Sequence, residues 1–146
     1  MVENIAHIRT LQPVSKETLE VFTALCDSVE TDVVAQCLSS DNPQATMGPE
    51  AEGMIKRGLG FVSRMLYTTM AYGAQQIIND ELTWAKIRLP VNGVSIAMVQ
   101  DNIERFVRAL EEIMQPAVYK EMQPYLKMII EIQRSIVEEA GGNRTG

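Results

Sequence analysis

Apolar residues return every three or four positions from Leu19 onward: Leu19, Phe22, Leu25, Cys26 and Val29, then Val33, Val34 and Cys37. That spacing predicts a helix over about 15–39, with a break near the polar pair Asp27–Ser28. Ser15 is placed to cap it, and Thr18 stands where an acid would complete a capping box. "SSDNPQATMGPE" collects Ser, Asp, Asn, Pro and Gly and predicts a loop. A second helix is expected to start near Pro49 or Glu50 and to carry Met54, Ile55, Leu59, Val62 and Leu66 toward Ile77 and Ile78. "NDELTWAKIRLP" predicts a polar turn and then a short helix stopping before Pro90. Val94, Met98, Val99, Ile103, Phe106, Val107, Leu110, Ile113 and Met114 repeat on one face of a long helix. "QPAVYKEMQP" interrupts the pattern around Pro116. A final helix carries Tyr125, Met128, Ile129, Ile132 and Ile136 and frays in "AGGNRTG".

No stretch alternates as a half-buried strand does, and no repeat is present. The expected fold class is all-α and globin-like, with about six helices of unequal length. The expected domain organisation is an N-terminal arm over 1–14, one helical domain over 15–140 and a disordered tail over 141–146.

The 146 residues are 46% hydrophobic and 22% charged, which suits one domain with an apolar core. A formal net charge of -6 argues against a nucleic-acid partner, which needs a basic face to meet phosphates. No apolar run is long enough to span a bilayer, and the N-terminus has no hydrophobic signal region. No membrane insertion and a cytoplasmic location are expected.

Familiar catalytic chemistry lacks its parts. His7 is the only histidine and lies in the arm, so neither a haem-ligating histidine deep in the fold nor a nucleophile–histidine pair is available. Cys26 and Cys37 are eleven apart and form neither a zinc set nor a CxxC pair. Cys37, in "VVAQCLSS", suits a small buried position. The Asp80–Glu81 and Glu111–Glu112 pairs point apart on a helix and suit solvated faces. Arg105 and Arg108, with Glu104, Glu111 and Glu112, have the spacing of a surface ion-pair lattice. No metal site and no catalytic residue is assigned.

"MIKRGLGFVSRMLYTTMAYG", Met54 to Gly73, is unusual in placing glycines and arginines within an apolar helical run. Its second half resembles the phycobiliprotein segment in which an arginine opens a Tyr-Ala-Thr-Tyr run closed by a glycine. Arg64 and Gly73 keep that separation, with Tyr67 and Thr68 between them. "IRLPVNGVSIAMVQDNIERFV" resembles the family's proline-containing turn and the long helix behind it. Pro90 matches the proline, and Arg88 stands in place of a glycine. "YKEMQPYLKMIIEI" resembles the closing helix. The likeness covers about 50–137 and implies a globin-like, phycocyanin-like helical core.

The family holds an open-chain tetrapyrrole through a cysteine nine residues before the arginine, with an aspartate three residues after that cysteine. Here those positions are Ile55 and Gly58, so the thioether and the anionic acceptor are both lost. The chain is most similar to the bilin biosynthesis-associated globins, which lack the cysteine. The resemblance implies no covalent cofactor and a noncovalent bilin, held in a cleft by Lys56, Arg57, Gly58, Gly60, Arg64, Tyr67 and Trp84. The implied role is to assist bilin biosynthesis or transfer, with bilins or bilin-synthesis enzymes as partners. Two alternatives stay open. One is a chromophore-free interaction or sensory module that forms a homodimer through Val99, Ile103, Phe106 and Leu110. The other is a bilin lyase-like enzyme relying on Arg57 or Arg64. The residues themselves admit a plainer account, in which the glycines serve close helix crossing and the aromatics line the core or its rim.

Overall fold

The computed structural model describes residues 11–40, 48–91 and 94–145, with side chains through Glu139. Five helices are present among them: α1 (Lys16–Ser40), α2 (Ala51–Tyr72), α3 (Gln76–Val91), α4 (Ile96–Ile113) and α5 (Pro116–Thr145). No strand occurs among the described residues. Most of the arm, including His7, the centre of the loop after α1, and the side chains of the expected tail lie outside the described residues.

Helix α1 runs unbroken through Asp27–Ser28, contrary to the expected break. The polar pair marks the outward side. Asp27 meets Lys56 of α2 at 3.2 Å, while Phe22, Val29 and Val33 on the other side are buried. The acid that the Thr18 position lacks is supplied by another helix. Glu121 of α5 accepts the Thr18 hydroxyl at 2.6 Å, the Ser15 hydroxyl at 3.1 Å and the Ser15 backbone N–H. One carboxylate therefore satisfies an orphan donor at the start of α1 and ties that end to α5.

These bonds favour the ionised carboxylate. The Thr18 hydroxyl leads, and the Ser15 groups add to it, holding Glu121 below the usual 4.5. A lowered folded-state pKa contributes stability above about pH 4.5 and loses it as pH falls through the folded value. Glu121→Gln is expected to be less stable than the parent at pH 6 and to lose less on acidification. Urea denaturation at pH 6 and pH 3.5 checks this, and a constant gap between the two proteins would refute it.

Helix α2 stops earlier than its apolar pattern suggests. Gly73 adopts φ +65° and its N–H bonds Thr69 O, a left-handed C-cap. The end of the arm packs there. Val14 N–H donates to Met70 O at 2.8 Å, Tyr125 Oη donates to Gln12 O at 2.5 Å, and Pro13 lies where a Gly73 side chain would go. An added Cβ would sit 3.2 Å from Pro13 Cδ in a backbone conformation that disfavours L-residues. Gly73→Ala is expected to cost about 2 kcal/mol, read from the urea midpoint.

Ile77 and Ile78 belong to α3, not to an extension of α2. Asn79 and Asp80 are helical too, and the Gln76 amide donates to Asp80 across one turn at 2.9 Å. Pro90 falls inside the last turn of α3 rather than after it. Ser95 caps α4 through the Met98 N–H at 3.3 Å. The expected interruption before α5 shrinks to Met114–Gln115, because Pro116 opens the helix where a missing N–H costs nothing. Pro124 is accommodated within α5.

The core is one cluster reaching across all five helices, with Leu66, Ile78, Phe106 and Ile129 fully inaccessible. α1 packs most extensively against α2, and α4 against α5. The expected homodimer ridge is part of this core: Ile103, Phe106 and Leu110 are buried, and Val99 is partly buried against them. Their periodicity marks the inward face of α4, so they cannot form a surface ridge. The expected ion-pair lattice on α4 is also redirected. Glu104 binds Arg134 of α5 at 2.6 Å, and Arg105 turns to Cys37. No helix among the described residues is long and apolar enough to cross a membrane.

Candidate functional site

A cavity of about 620 Å³ lies between α2, α3 and α4. Ile55, Leu59 and Val62 supply the α2 wall, Leu82, Ala85 and Leu89 the α3 wall, and Met98, Val99 and Ile103 the α4 wall. Glu50, Arg57 and Asn102 are polar members of the lining, and Trp84, half exposed, also borders it. The proportions are those of a small-molecule site, mostly apolar with a few polar groups.

Gly58 borders this space. A Cβ there would meet nothing within 4 Å, so no neighbouring atom requires the glycine. Gly58 is exposed at the rim of the cavity, so a side chain turned inward from it meets no obstacle. Ile55, one turn earlier, lines the same wall and is buried. Ile55 and Gly58 thus border one cavity and bring no polar side chain to it.

The cleft residues expected from sequence divide into three groups. Arg57, Gly58 and Trp84 border the cavity together. The Arg57 guanidinium folds back toward Gly53, with Nη1 3.3 Å from where a Gly53 Cβ would stand, and makes no ion pair among the described residues. Arg88 lies 5.4 Å from the Trp84 ring centroid, in cation–π range. Gly60, Arg64 and Tyr67 line a different hollow of about 400 Å³, against Phe22, Cys26 and Glu30 of α1. Lys56 belongs to neither. It bridges to α1 through Asp27, Thr31 and the buried Glu30, at 3.2, 3.2 and 3.5 Å. The residues do not converge on a single cleft, because successive positions on α2 face opposite neighbours.

The second hollow is chemically quiet. Ser63 donates to Glu30 at 2.7 Å, which with Lys56 compensates the buried carboxylate. Burial pushes the Cys26 thiol up to about 11; a hydrogen bond with Ser63 opposes the rise, and the Glu30 charge adds to it. That thiol stays protonated at neutral pH and is a poor nucleophile. Neither Cys26 nor Cys37 is in a disulfide. Among the described residues no group of acidic, histidine or cysteine side chains is arranged to hold a metal ion.

Sequence reasoning missed Asn102. It is buried on the inward face of α4, where its Oδ1 accepts from Cys37 Sγ at 2.8 Å. Its position three residues after Val99 and four before Phe106, inside the apolar stripe, is the available cue.

No family model, curated protein or solved structure matches the chain. The class defined by fold and site is an all-α, five-helix domain, counted among the described residues, with a cavity between three of its helices.

Proposed function

We propose that the protein is a phycobiliprotein-like globin that binds an open-chain tetrapyrrole noncovalently and assists bilin synthesis or transfer. The observation that carries this reading is the cavity beside Gly58. It borders Ile55 and Gly58, which the sequence resemblance aligns with the pigment-holding positions, it is large enough for an extended conjugated ligand, and its walls are apolar. Arg57 at its edge is a cation without an ion pair among the described residues, suited to a propionate. Trp84 offers a face for stacking. The globin-like topology belongs to the same proposal and is supported by the sequence resemblance over about 50–137. Absorbance titration with biliverdin and with a reduced bilin tests it. A red-shifted, saturable spectrum with Kd below about 100 μM is expected, near -5.5 kcal/mol. No spectral change with either ligand would overturn the reading.

A second reading, an interaction module, is favoured by the outer face of α3. Trp84, Ile87 and Val91 follow at helical spacing and are 54%, 66% and 81% exposed. Sedimentation at micromolar concentration tests self-association through that face. A dimer that Ile87→Glu dissolves would favour this reading, and a monomeric parent would remove it.

A further inference from the structure

The cavity wall contains one buried polar side chain with half of its hydrogen-bonding capacity unused. Asn102 is 7% exposed. Its Oδ1 accepts from Cys37 Sγ at 2.8 Å and from Arg105 Nη1 at 3.4 Å, and Arg105 Nη1 also reaches Sγ at 3.1 Å. Arginine can only donate, so the amide atom facing it must be the oxygen. This triangle fixes which end of the amide points where. The Nδ2 group is left with two N–H donors and no protein acceptor among the described residues, on a side chain that lines the cavity.

We propose that Asn102 is the specificity-determining residue of this cavity, donating from Nδ2 to a carbonyl oxygen on a flat, otherwise apolar ligand. The proposal rests on the reading of the cavity as a ligand site and names the group that the ligand must present. Nδ2 only donates, so the ligand must accept. The surrounding Leu59, Val99 and Ile103 disfavour a full negative charge, which would need a cation to compensate burial. Arg105 is already engaged with Oδ1 and Sγ on the far side of the amide. A neutral carbonyl or lactam oxygen meets these conditions. An apolar ligand without one would cover these donors without pairing them and forfeit affinity.

A matched probe pair tests this without assuming a tetrapyrrole. 9-Fluorenone and fluorene are planar tricycles of similar size that differ by one carbonyl group. Fluorenone is expected to bind the parent protein at least about fivefold more tightly, the worth of one net hydrogen bond. In nitrogen-15 NMR spectra the Asn102 side-chain amide pair, assigned in the parent protein, should shift with fluorenone and stay in place with fluorene. Asn102→Leu, close in volume, should bring the two affinities to within about twofold. Equal affinity for the two probes, an unmoved Asn102 amide, or no binding of either probe would overturn the proposal. The parent measurements stand even if the variant does not fold. Selective fluorenone binding without biliverdin binding would keep the Asn102 role and reject the tetrapyrrole. Biliverdin binding without probe selectivity would do the reverse.

Discussion

Phe106→Ala should destabilise the protein by about 3–5 kcal/mol, with no dependence on protein concentration. Phe106 is fully inaccessible in the middle of α4 and belongs to the cluster that joins that helix to α1, α2 and α5. Removing the ring loses its transfer free energy and leaves a cavity that rigid helix backbones fill only in part. A loss of that size is a large share of the stability of an ordinary domain. Phe106→Leu, which keeps most of the volume, should cost much less and keeps the comparison measurable if the alanine variant is largely unfolded. The measurement is urea unfolding at two protein concentrations roughly a hundredfold apart. A dimer-interface residue would show a midpoint that moves with concentration, because association stabilises by mass action. A fixed midpoint and a large loss identify Phe106 as core. A loss below about 1 kcal/mol would contradict its placement.

That result bears on how far the sequence could be read. The apolar stripe of α4 was visible because every third or fourth residue is large and apolar, and Ser95 marks its start. Which side of the stripe meets protein and which meets a partner is not written in the periodicity; burial decides it. Polar pairs and prolines misled for related reasons. Asp27–Ser28 looked like a break but sits on the outer side of a continuous helix, and Pro90 and Pro124 are absorbed within helices. The local capping-box pattern holds Thr18 in place of an acid, and the acid that serves this end, Glu121, lies 103 positions from Thr18. The site was legible to the extent that something in it was anomalous. Gly58 stood out because glycine is costly in a helix, and Arg57 and Trp84 came with it. Asn102 did not stand out, because its burial depends on Cys37, 65 positions away, and on an arginine that looked like a surface cation. The division of Gly60, Arg64 and Tyr67 from Gly58 follows from helix geometry, since neighbours two apart face different ways.

Gly58→Phe should abolish ligand binding in the large cavity, weakening it at least about a hundredfold, while leaving the fold intact. Gly58 borders the cavity and nothing blocks a side chain there, so a phenylalanine ring turned toward α3 and α4 displaces a ligand seated beside α2. Stability should hold or rise by a few tenths of a kcal/mol, because phenylalanine is a better helix residue than glycine and gains apolar contacts. Gly60→Ala is the control on the opposite side of the same helix. Its Cβ would meet Arg64 Nη1 at 3.3 Å, the mobile end of a long side chain, so the change is accommodated. It should raise stability by about 0.5–1 kcal/mol and leave biliverdin affinity within about twofold. The pair separates the two hollows that sequence reasoning had merged. If Gly60→Ala abolished binding and Gly58→Phe did not, the ligand would sit against Arg64 and Tyr67. If neither mattered, biliverdin would be held outside both. Loss confined to Gly58→Phe, with both variants folded by circular dichroism, places the ligand between α2, α3 and α4.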